Sequence, residues 1–358
     1  MKVERFFAPS YEELRPFRSR PAEPGIFPVY DDLAALLAGA HPPGNGAPQS
    51  ANPTVAHVLG TCAGYAYAEG STVAMMMARL GLEANACVTI SLSVDAMFIC
   101  STAHLVQSQC GRVVVLSYRG TEPTNLINWL TDADVHPEKV SLGPDHRTFR
   151  VHAGFYRNVR ATRYEVANQL KLALEGRSVL DRRELPNRLE VLYVCGHSLG
   201  GAMAALFGLM MFTNPAYRAI ADRIGAVYTY GQPMIGEPPL PPECGRSGAM
   251  GMRTFRYIYA KDVVPALPPT ASGPFEHFGE EWHFSRPNPA RPGRWERAES
   301  PTAQVGNLLE IPLAASAFFG DQLKWFKHFS FRYSLADHGP QNYVSALAPP
   351  EKPTEFGD

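Results

Sequence analysis

The feature that most constrains the fold is the run VLYVCGHSLGGAMAALFGLMM, residues 191–211. Its first, apolar part predicts a buried strand, and the small-residue part after Gly200 predicts a buried helix. Between them lies Gly-His-Ser-Leu-Gly, residues 196–200. A strand that turns directly into a helix leaves its turn residue in strained dihedral angles, and flanking glycines relieve the crowding. The pattern therefore predicts a nucleophile elbow that presents the Ser198 hydroxyl at the edge of a sheet.

Strand-like and helix-like segments alternate along the chain on both sides of this motif. Strand patterns occupy residues 96–107, 111–120, 188–196, 225–233 and 254–262. Helix patterns occupy residues 57–82, 157–176 and 201–212. This alternation predicts an α/β fold with a mainly parallel central sheet flanked by helices. Hydrophobic residues make up 45% of the 358 residues, which is enough to form a large core.

Composition divides the chain into three parts. Residues 1–56 are rich in Pro, Gly and Ala and predict an N-terminal arm with little regular structure. Residues 57–350 form the predicted α/β domain, and residues 351–358 a short tail. Within the domain, the polar, Pro-rich stretch 286–306 predicts a surface excursion. The apolar, aromatic stretch 306–331 fits either a helix that lines the core or a cleft, or a surface that meets lipid.

Charge and hydropathy exclude several classes of protein. The net charge of −1 lacks the basic excess of a nucleic-acid-binding protein. No run of 18 uninterrupted apolar residues predicts a transmembrane helix. The first twenty residues lack the apolar centre of a signal peptide. The cysteines show no CxxC pair, which favours buried thiols in a reducing compartment, although a Cys100–Cys110 bridge is conceivable. These features predict a cytoplasmic protein.

A nucleophilic serine needs a histidine base and an acid that orients the base. After such an elbow, the acid comes first in the chain and the histidine second. Asp262 directly follows a strand pattern and precedes a Pro-containing loop, which makes it the predicted acid. His338 lies in a polar turn before a final helix pattern, which makes it the predicted base. The alternative bases are His277, His283 and His328.

Acyl transfer also needs donors for the oxyanion and a way to cover the site. The backbone N–H of Leu199 is one predicted donor, and Thr121, after an earlier strand, is the second; Thr121 alternatively caps the next helix. In the segment that follows, Leu126, Ile127 and Trp129 share one apolar side. They predict a lid helix that contacts substrate, or, alternatively, an ordinary helix with Trp129 buried.

These motifs together resemble the class 3 lipases, a family that includes the triacylglycerol lipases of filamentous fungi. The matching segments are VVVLSYRGTEPTNLINWLTD, VHAGF, VCGHSLGGAMAALF, TYGQPMIGE, YIYAKDVVPALPP, HFGEEW and DHGPQNYVSAL. The resemblance implies an α/β-hydrolase fold, no metal or organic cofactor, and a lid at about residues 122–137. It implies a triad of Ser198, Asp262 and His338. His152 and His277 match supporting positions, and His197 is expected to be structural.

The predicted function is hydrolysis of carboxylic esters, with acylglycerols as the expected substrates. The alternatives are a carboxylesterase, a phospholipase A1 or a feruloyl-type esterase that uses the same residues. A non-catalytic lipase-like module that binds partner proteins is the alternative from another class. The expected partners are a small ester or lipid substrate and, transiently, a lipid interface, with no nucleic acid.

Overall fold

The computed structural model describes residues 1–8, 28–43, 49–94, 99–121, 137–141, 148–287, 291–306 and 333–349. The strands of these residues are β1 Lys2–Ala8, β2 Asn85–Val94, β3 Ile99–Gln107, β4 Val113–Tyr118, β5 Pro137–Ser141, β6 Thr148–His152, β7 Val191–His197, β8 Ile224–Tyr230, β9 Thr254–Tyr259, β10 Glu280–Ser285 and β11 Arg294–Arg297. The helices are α1 Leu33–Ala40, α2 Pro53–Tyr65, α3 Gly70–Leu80, α4 Ala153–Leu174, α5 Leu199–Thr213, α6 Arg218–Ala221 and α7 Pro340–Leu347.

Nine strands form one mixed sheet in the order β1-β2-β3-β4-β7-β8-β9-β10-β11, and β5 pairs with β6 separately. Strands β1 to β4 pair with one another in antiparallel fashion. Strands β4, β7, β8, β9 and β10 run parallel, and β11 returns antiparallel. The α/β fold is thus confirmed, but the sheet is parallel only in the half that contains the elbow. That half needs long crossovers between strands, which α4 and α5 help to provide.

The central strand β7 is buried on both faces. Leu192 and Val194 face a core formed with α4 and α5. Val191, Tyr193 and Cys195 face a second core formed with α1, α2, α3 and α7. A strand covered by helices on both sides reads as a continuous apolar run, which explains why the sequence here does not alternate. The elbow therefore rises from the most enclosed part of the sheet.

The N-terminal residues contain more regular structure than the sequence predicts. Strand β1 pairs with β2 from Lys2↔Ser91 to Ala8↔Asn85, and in α1 Leu33 and Leu37 are fully buried. The prediction of little regular structure in residues 1–56 is wrong for these two elements and for the first turn of α2, which begins at Pro53. The prediction followed the average composition of residues 1–56, which the Pro- and Gly-rich residues around 42–48 dominate. The average therefore gave no sign of the seven-residue strand and the eight-residue helix. The division into an arm, a domain and a tail stays a prediction.

Two further segments differ from the sequence-based expectation. The helix pattern over residues 57–82 is two helices, because the chain turns at Ala66–Glu69 and α3 begins at Gly70. The stretch after residue 286 contains the edge strand β11, whose Trp295 packs against Tyr257 with ring centroids 4.9 Å apart. The aromatic segment 307–331 and the lid segment 122–136 lie outside the described residues.

Within the described ranges, no single helix is both long and apolar enough to cross a bilayer. One bent pair of helices has the combined length and apolar composition of a membrane span, and nothing beyond length and composition supports that reading. The pair is Leu199–Thr213 and Pro215–Ala221, and the two helices meet at 102°.

Candidate active site

Ser198 occupies the turn between β7 and α5 with φ 59° and ψ −131°, a conformation that is strained for a residue with a side chain. Its backbone N–H donates to the Tyr230 carbonyl at 2.9 Å, which ties the turn to the next strand. A β-carbon added at Gly200 would lie 2.1 Å from the Tyr118 carbonyl oxygen. One added at Gly196 would lie 2.2 Å from the Gly200 carbonyl oxygen. Both glycines are therefore required by close backbone contacts.

The predicted acid and base lie against each other. His338 Nδ1 donates to Asp262 Oδ2 at 2.8 Å, and both side chains are buried. Asp262 follows β9, and its second oxygen accepts the Val264 N–H at 2.9 Å. His338 ends a short 3-10 turn that leads into α7. Because a carboxylate can only accept, the Nδ1 of His338 carries the proton, which leaves Nε2 of a neutral ring free to accept one.

Tyr343 is a third member of this cluster that sequence reasoning missed. Its hydroxyl donates to Asp262 Oδ2 at 2.5 Å. Burial, followed by the charge of Asp262, raises the pKa of Tyr343 well above its usual value. The phenol therefore remains a donor at any working pH. The only sequence signal was an aromatic residue within the final helix, one turn after the D-H pair.

The predicted nucleophile and the predicted base are connected through the elbow. His197, next to Ser198 in the chain, donates from Nε2 to the His338 carbonyl at 2.7 Å. Gly231, at φ 58°, packs beneath the acid and base, and a β-carbon there would lie 2.7 Å from Asp262 Oδ2. Within the described ranges, neither Ser198 Oγ nor His338 Nε2 has a hydrogen-bond partner, although both atoms are buried. The elbow region thus contains a buried hydroxyl and a buried imidazole nitrogen that each have no hydrogen-bond partner among the described residues.

The alternative bases within the described residues are held elsewhere. His277 Nε2 donates to the Pro265 carbonyl at 2.7 Å, and burial lowers its pKa to about 3. His283 Nε2 donates to the Glu281 carboxylate on the same strand at 2.6 Å. His152, which was expected at a supporting position and not as a base, stacks on Phe155 with ring centroids 3.9 Å apart. His328 lies outside the described residues.

The loop after β4 lies directly against the elbow. A β-carbon added at Gly120 would lie 2.6 Å from the His197 carbonyl oxygen and 2.1 Å from the Tyr67 hydroxyl. Thr121 follows Gly120 and is partly exposed. Leu199 begins α5, and its own backbone N–H, at the first position of the helix, has no intrahelical acceptor. The loop after β4 therefore packs against the elbow, and the first turn of α5 directly follows Ser198. Leu126, Ile127 and Trp129 lie outside the described residues.

Asp337 connects the turn that carries His338 to the turn that carries Asp262. Its Oδ2 accepts the backbone N–H of Lys261 at 2.9 Å, and its Oδ1 pairs with the Arg286 guanidinium. Arg286 in turn lies over the Tyr259 ring, 5.5 Å from its centre. Since Lys261 precedes the acid and Asp337 precedes the base, this contact fixes their separation. Sequence reasoning used the D-H pair without assigning a role to its aspartate.

Comparison with known proteins shows which family this sequence resembles. Residues 115–272 match the family model described as lipase (class 3). Over these residues, which make up less than half of the chain, the sequence is similar to the class 3 lipase family. The matched region contains the elbow and the acid turn, and the resemblance drawn from the sequence motifs is confirmed. Among the described residues, no group of three or more His, Cys, Asp or Glu side chains is arranged to hold a metal ion.

The class 3 lipase similarity extends to plant and fungal proteins. Triacylglycerol lipase OBL1 of Arabidopsis thaliana is 32% identical over 193 residues, which cover 47% of this chain and 36% of that protein. The lipase of Rhizomucor miehei is 31% identical over 189 residues, which cover 53% of this chain and 46% of that protein. This chain thus spans less than half the length of either relative. The structure of the native Rhizomucor miehei lipase propeptide complex matches with a TM-score of 0.52 at 19% identity, covering 92% of this chain and 93% of that one. At this identity the match shows the α/β-hydrolase fold alone.

The comparisons contradict the predicted cytoplasmic location. A protein described as secreted mono- and diacylglycerol lipase A, from Penicillium cyclopium, is 26% identical over 203 residues, covering 56% of this chain and 58% of that protein. The prediction was wrong because it rested on a missing apolar leader and on unpaired cysteines. Neither feature specifies a compartment. All six cysteines are indeed free thiols, and four are buried, but a buried thiol persists in any compartment.

Proposed function

We propose that this protein hydrolyses carboxylic esters by way of an acyl-enzyme on Ser198, and that acylglycerols are its substrates. The observation that carries the proposal is the 2.8 Å hydrogen bond between His338 and Asp262 beside a strained, buried serine. An isolated serine in a tight turn would not need a buried histidine–carboxylate pair. A carboxylate held by several donors can stabilise an imidazolium without becoming protonated itself.

The mechanism follows from the roles that each group can fill. His338 Nε2 accepts the Ser198 proton as the serine oxygen attacks the ester carbonyl carbon. The negative charge passes to the carbonyl oxygen, where the N–H groups of Leu199 and Thr121 receive it. The intermediate collapses as His338 returns the proton to the leaving alcohol. A water molecule then attacks the acyl-enzyme with the same proton transfers, which releases the acid and restores Ser198.

The choice of lipid esters rests on the relatives. Those that align with this chain are described as triacylglycerol lipases and as a mono- and diacylglycerol lipase. We extend this substrate class to the present chain and infer transient contact with a lipid surface. The apolar residues Leu126, Ile127 and Trp129 are the proposed lid contacts to the acyl chain.

The test is a profile of hydrolysis over p-nitrophenyl esters of increasing chain length, together with emulsified triacylglycerol. A lipase should prefer long acyl chains and accelerate above the solubility limit of the substrate. Preference for short, soluble esters would identify a carboxylesterase instead. Ser198→Ala should abolish turnover while leaving the melting temperature close to that of the parent protein. If Ser198→Ala retains activity, the proposed mechanism is wrong.

A further inference from the structure

His197 lies inside the elbow motif and makes hydrogen bonds with both ring nitrogens. Its Nε2 is 2.7 Å from the His338 carbonyl oxygen, and its Nδ1 is 2.8 Å from the Tyr67 hydroxyl. The side chain is almost fully buried. Tyr67 comes from the turn between α2 and α3, so one imidazole joins three separate parts of the chain.

These contacts determine the protonation state of His197. A carbonyl oxygen can only accept, so the proton must lie on Nε2. Nδ1 then carries a lone pair, and the Tyr67 hydroxyl must be the donor to it. Burial, followed by the nearby charge of His338, lowers the pKa of His197 well below its usual value. Burial raises the pKa of Tyr67 despite the opposing charge of Arg119, so the phenol remains a donor.

The turn that carries Tyr67 is itself anchored. His104 on β3 donates from Nε2 to the Ala66 carbonyl at 3.1 Å. The hydroxyl of Thr89 on β2 donates to the other ring nitrogen of His104, Nδ1, at 2.8 Å. Tyr67 therefore reaches His197 from a fixed position and not from a loosely held loop.

We propose that Tyr67 and His197 act as a positioning pair for the base His338. The bond from His197 to the His338 carbonyl fixes the base relative to Ser198, because His197 and Ser198 are adjacent in the chain. The two imidazole rings lie 4.5 Å apart, so His197 must remain uncharged when His338 becomes an imidazolium. The Tyr67 hydroxyl keeps it uncharged by occupying the only nitrogen that could take a proton. The other groups that face these rings are Tyr343 and, through His338, Asp262. This role rests on the proposed esterase function.

The first test compares His197→Gln with His197→Leu. A glutamine amide can still donate to the His338 carbonyl, whereas leucine fills the site without a donor. We expect His197→Leu to lower kcat by about tenfold to a hundredfold with KM unchanged, since small displacements of a catalytic group are costly. His197→Gln should retain kcat within about fivefold. If His197 served packing alone, leucine would be tolerated as well as glutamine or better, and that order would overturn the proposal.

The second test uses a matched pair of tyrosine variants. Tyr67→Phe removes the hydroxyl that His197 accepts from, and Tyr30→Phe removes one that lies 2.9 Å from His57 Nδ1, away from the site. We expect Tyr67→Phe to lower kcat about threefold to tenfold, as for the loss of one hydrogen bond, and Tyr30→Phe to change it less than twofold. Equal losses in the two variants would overturn the proposal.

A third measurement is independent of catalysis. In ¹⁵N-histidine spectra of the intact protein, His197 should be the neutral Nε2–H tautomer from pH 5 to pH 9, and Tyr67→Phe should shift its Nδ1 resonance. A His197 that titrates in this range, or that carries its proton on Nδ1, would contradict the positioning pair. If the protein hydrolyses no ester yet His197 shows the expected tautomer, the proposed function fails while the hydrogen-bond arrangement stands.

Discussion

Tyr343 donates to the same carboxylate oxygen of Asp262 that accepts the hydrogen bond from His338 Nδ1. The two distances are 2.5 Å from the phenol and 2.8 Å from the imidazole. The other oxygen of Asp262 accepts the Val264 N–H at 2.9 Å. The acid is thus surrounded by donors from α7, the base turn and its own loop, and its orientation does not depend on His338 alone.

Removing the phenol should weaken the hold on the acid. We expect Tyr343→Phe to lower kcat by about tenfold with KM unchanged, because one hydrogen bond to a charged group contributes roughly 1.5 kcal/mol or more. Steady-state kinetics on a soluble p-nitrophenyl ester measures this directly. Tyr164→Phe, at a tyrosine that is 69% exposed, is the control and should be neutral. A Tyr343→Phe protein with parental kcat would show that Asp262 needs no second donor.

The aspartate of the D-H pair gives a second prediction. Asp337→Ala should lower both kcat and the free energy of unfolding, the latter by about 1–3 kcal/mol, because the partly buried Lys261 N–H loses its acceptor. Asp337→Asn retains an oxygen at that position and should recover most of the loss. Urea unfolding and kinetics on the two variants separate the hydrogen bond from the charge. If asparagine is as damaging as alanine, the ion pair with Arg286 is the dominant contact.

The elbow glycines provide a prediction on stability. In Gly200→Ala the added methyl would overlap the Tyr118 carbonyl, so strand β4 or helix α5 must shift. We expect a large drop in melting temperature or no soluble protein. Gly39→Ala is the matched control, since a β-carbon there meets nothing within 4 Å inside helix α1. That variant should gain up to about 1 kcal/mol. A tolerated Gly200→Ala would contradict the close contact.

Buried histidines predict how stability changes with pH. Burial lowers the pKa of His104 to about 4, below its ordinary value of 6.5. The unfolded chain then binds the proton more readily than the folded one, so stability is full above about pH 6.5 and is lost as the pH falls toward about 4. The slope approaches 1.4 kcal/mol per pH unit for each such group, as a rough limit. Urea unfolding at several pH values measures it. In His104→Gln the slope of the unfolding free energy against pH should fall by the contribution of one proton, at most about 1.4 kcal/mol per pH unit. An unchanged slope would mean that His104 is protonated in the fold.

Much of this architecture was predictable because its signals are local. The elbow is specified by glycines that a backbone contact requires, and the acid and base follow at the ends of recognisable strand and turn patterns. The α/β class followed from the alternation of elements. The predicted residues Asp262 and His338 do lie against each other, which their separation of 76 positions along the chain could not have guaranteed.

What the sequence did not predict depends on contacts between distant segments. Strand β1 was missed because its register with β2 carries no local signal. Tyr67, Tyr343 and Arg286 reach the site from a turn, a helix and an excursion, and each residue type is common in a core or at a surface. The direction of the first strands was also not evident, since antiparallel and parallel neighbours can share the same apolar pattern.

The central claim is that Ser198 is activated by a histidine held on Asp262. The most direct measurement is covalent labelling with a fluorophosphonate, followed by intact-mass analysis and peptide mapping. We predict a single adduct on Ser198, no adduct in Ser198→Ala, and labelling of His338→Ala that is slower by several orders of magnitude. Rapid labelling of His338→Ala, or an adduct on a residue other than Ser198, would contradict this account of the site.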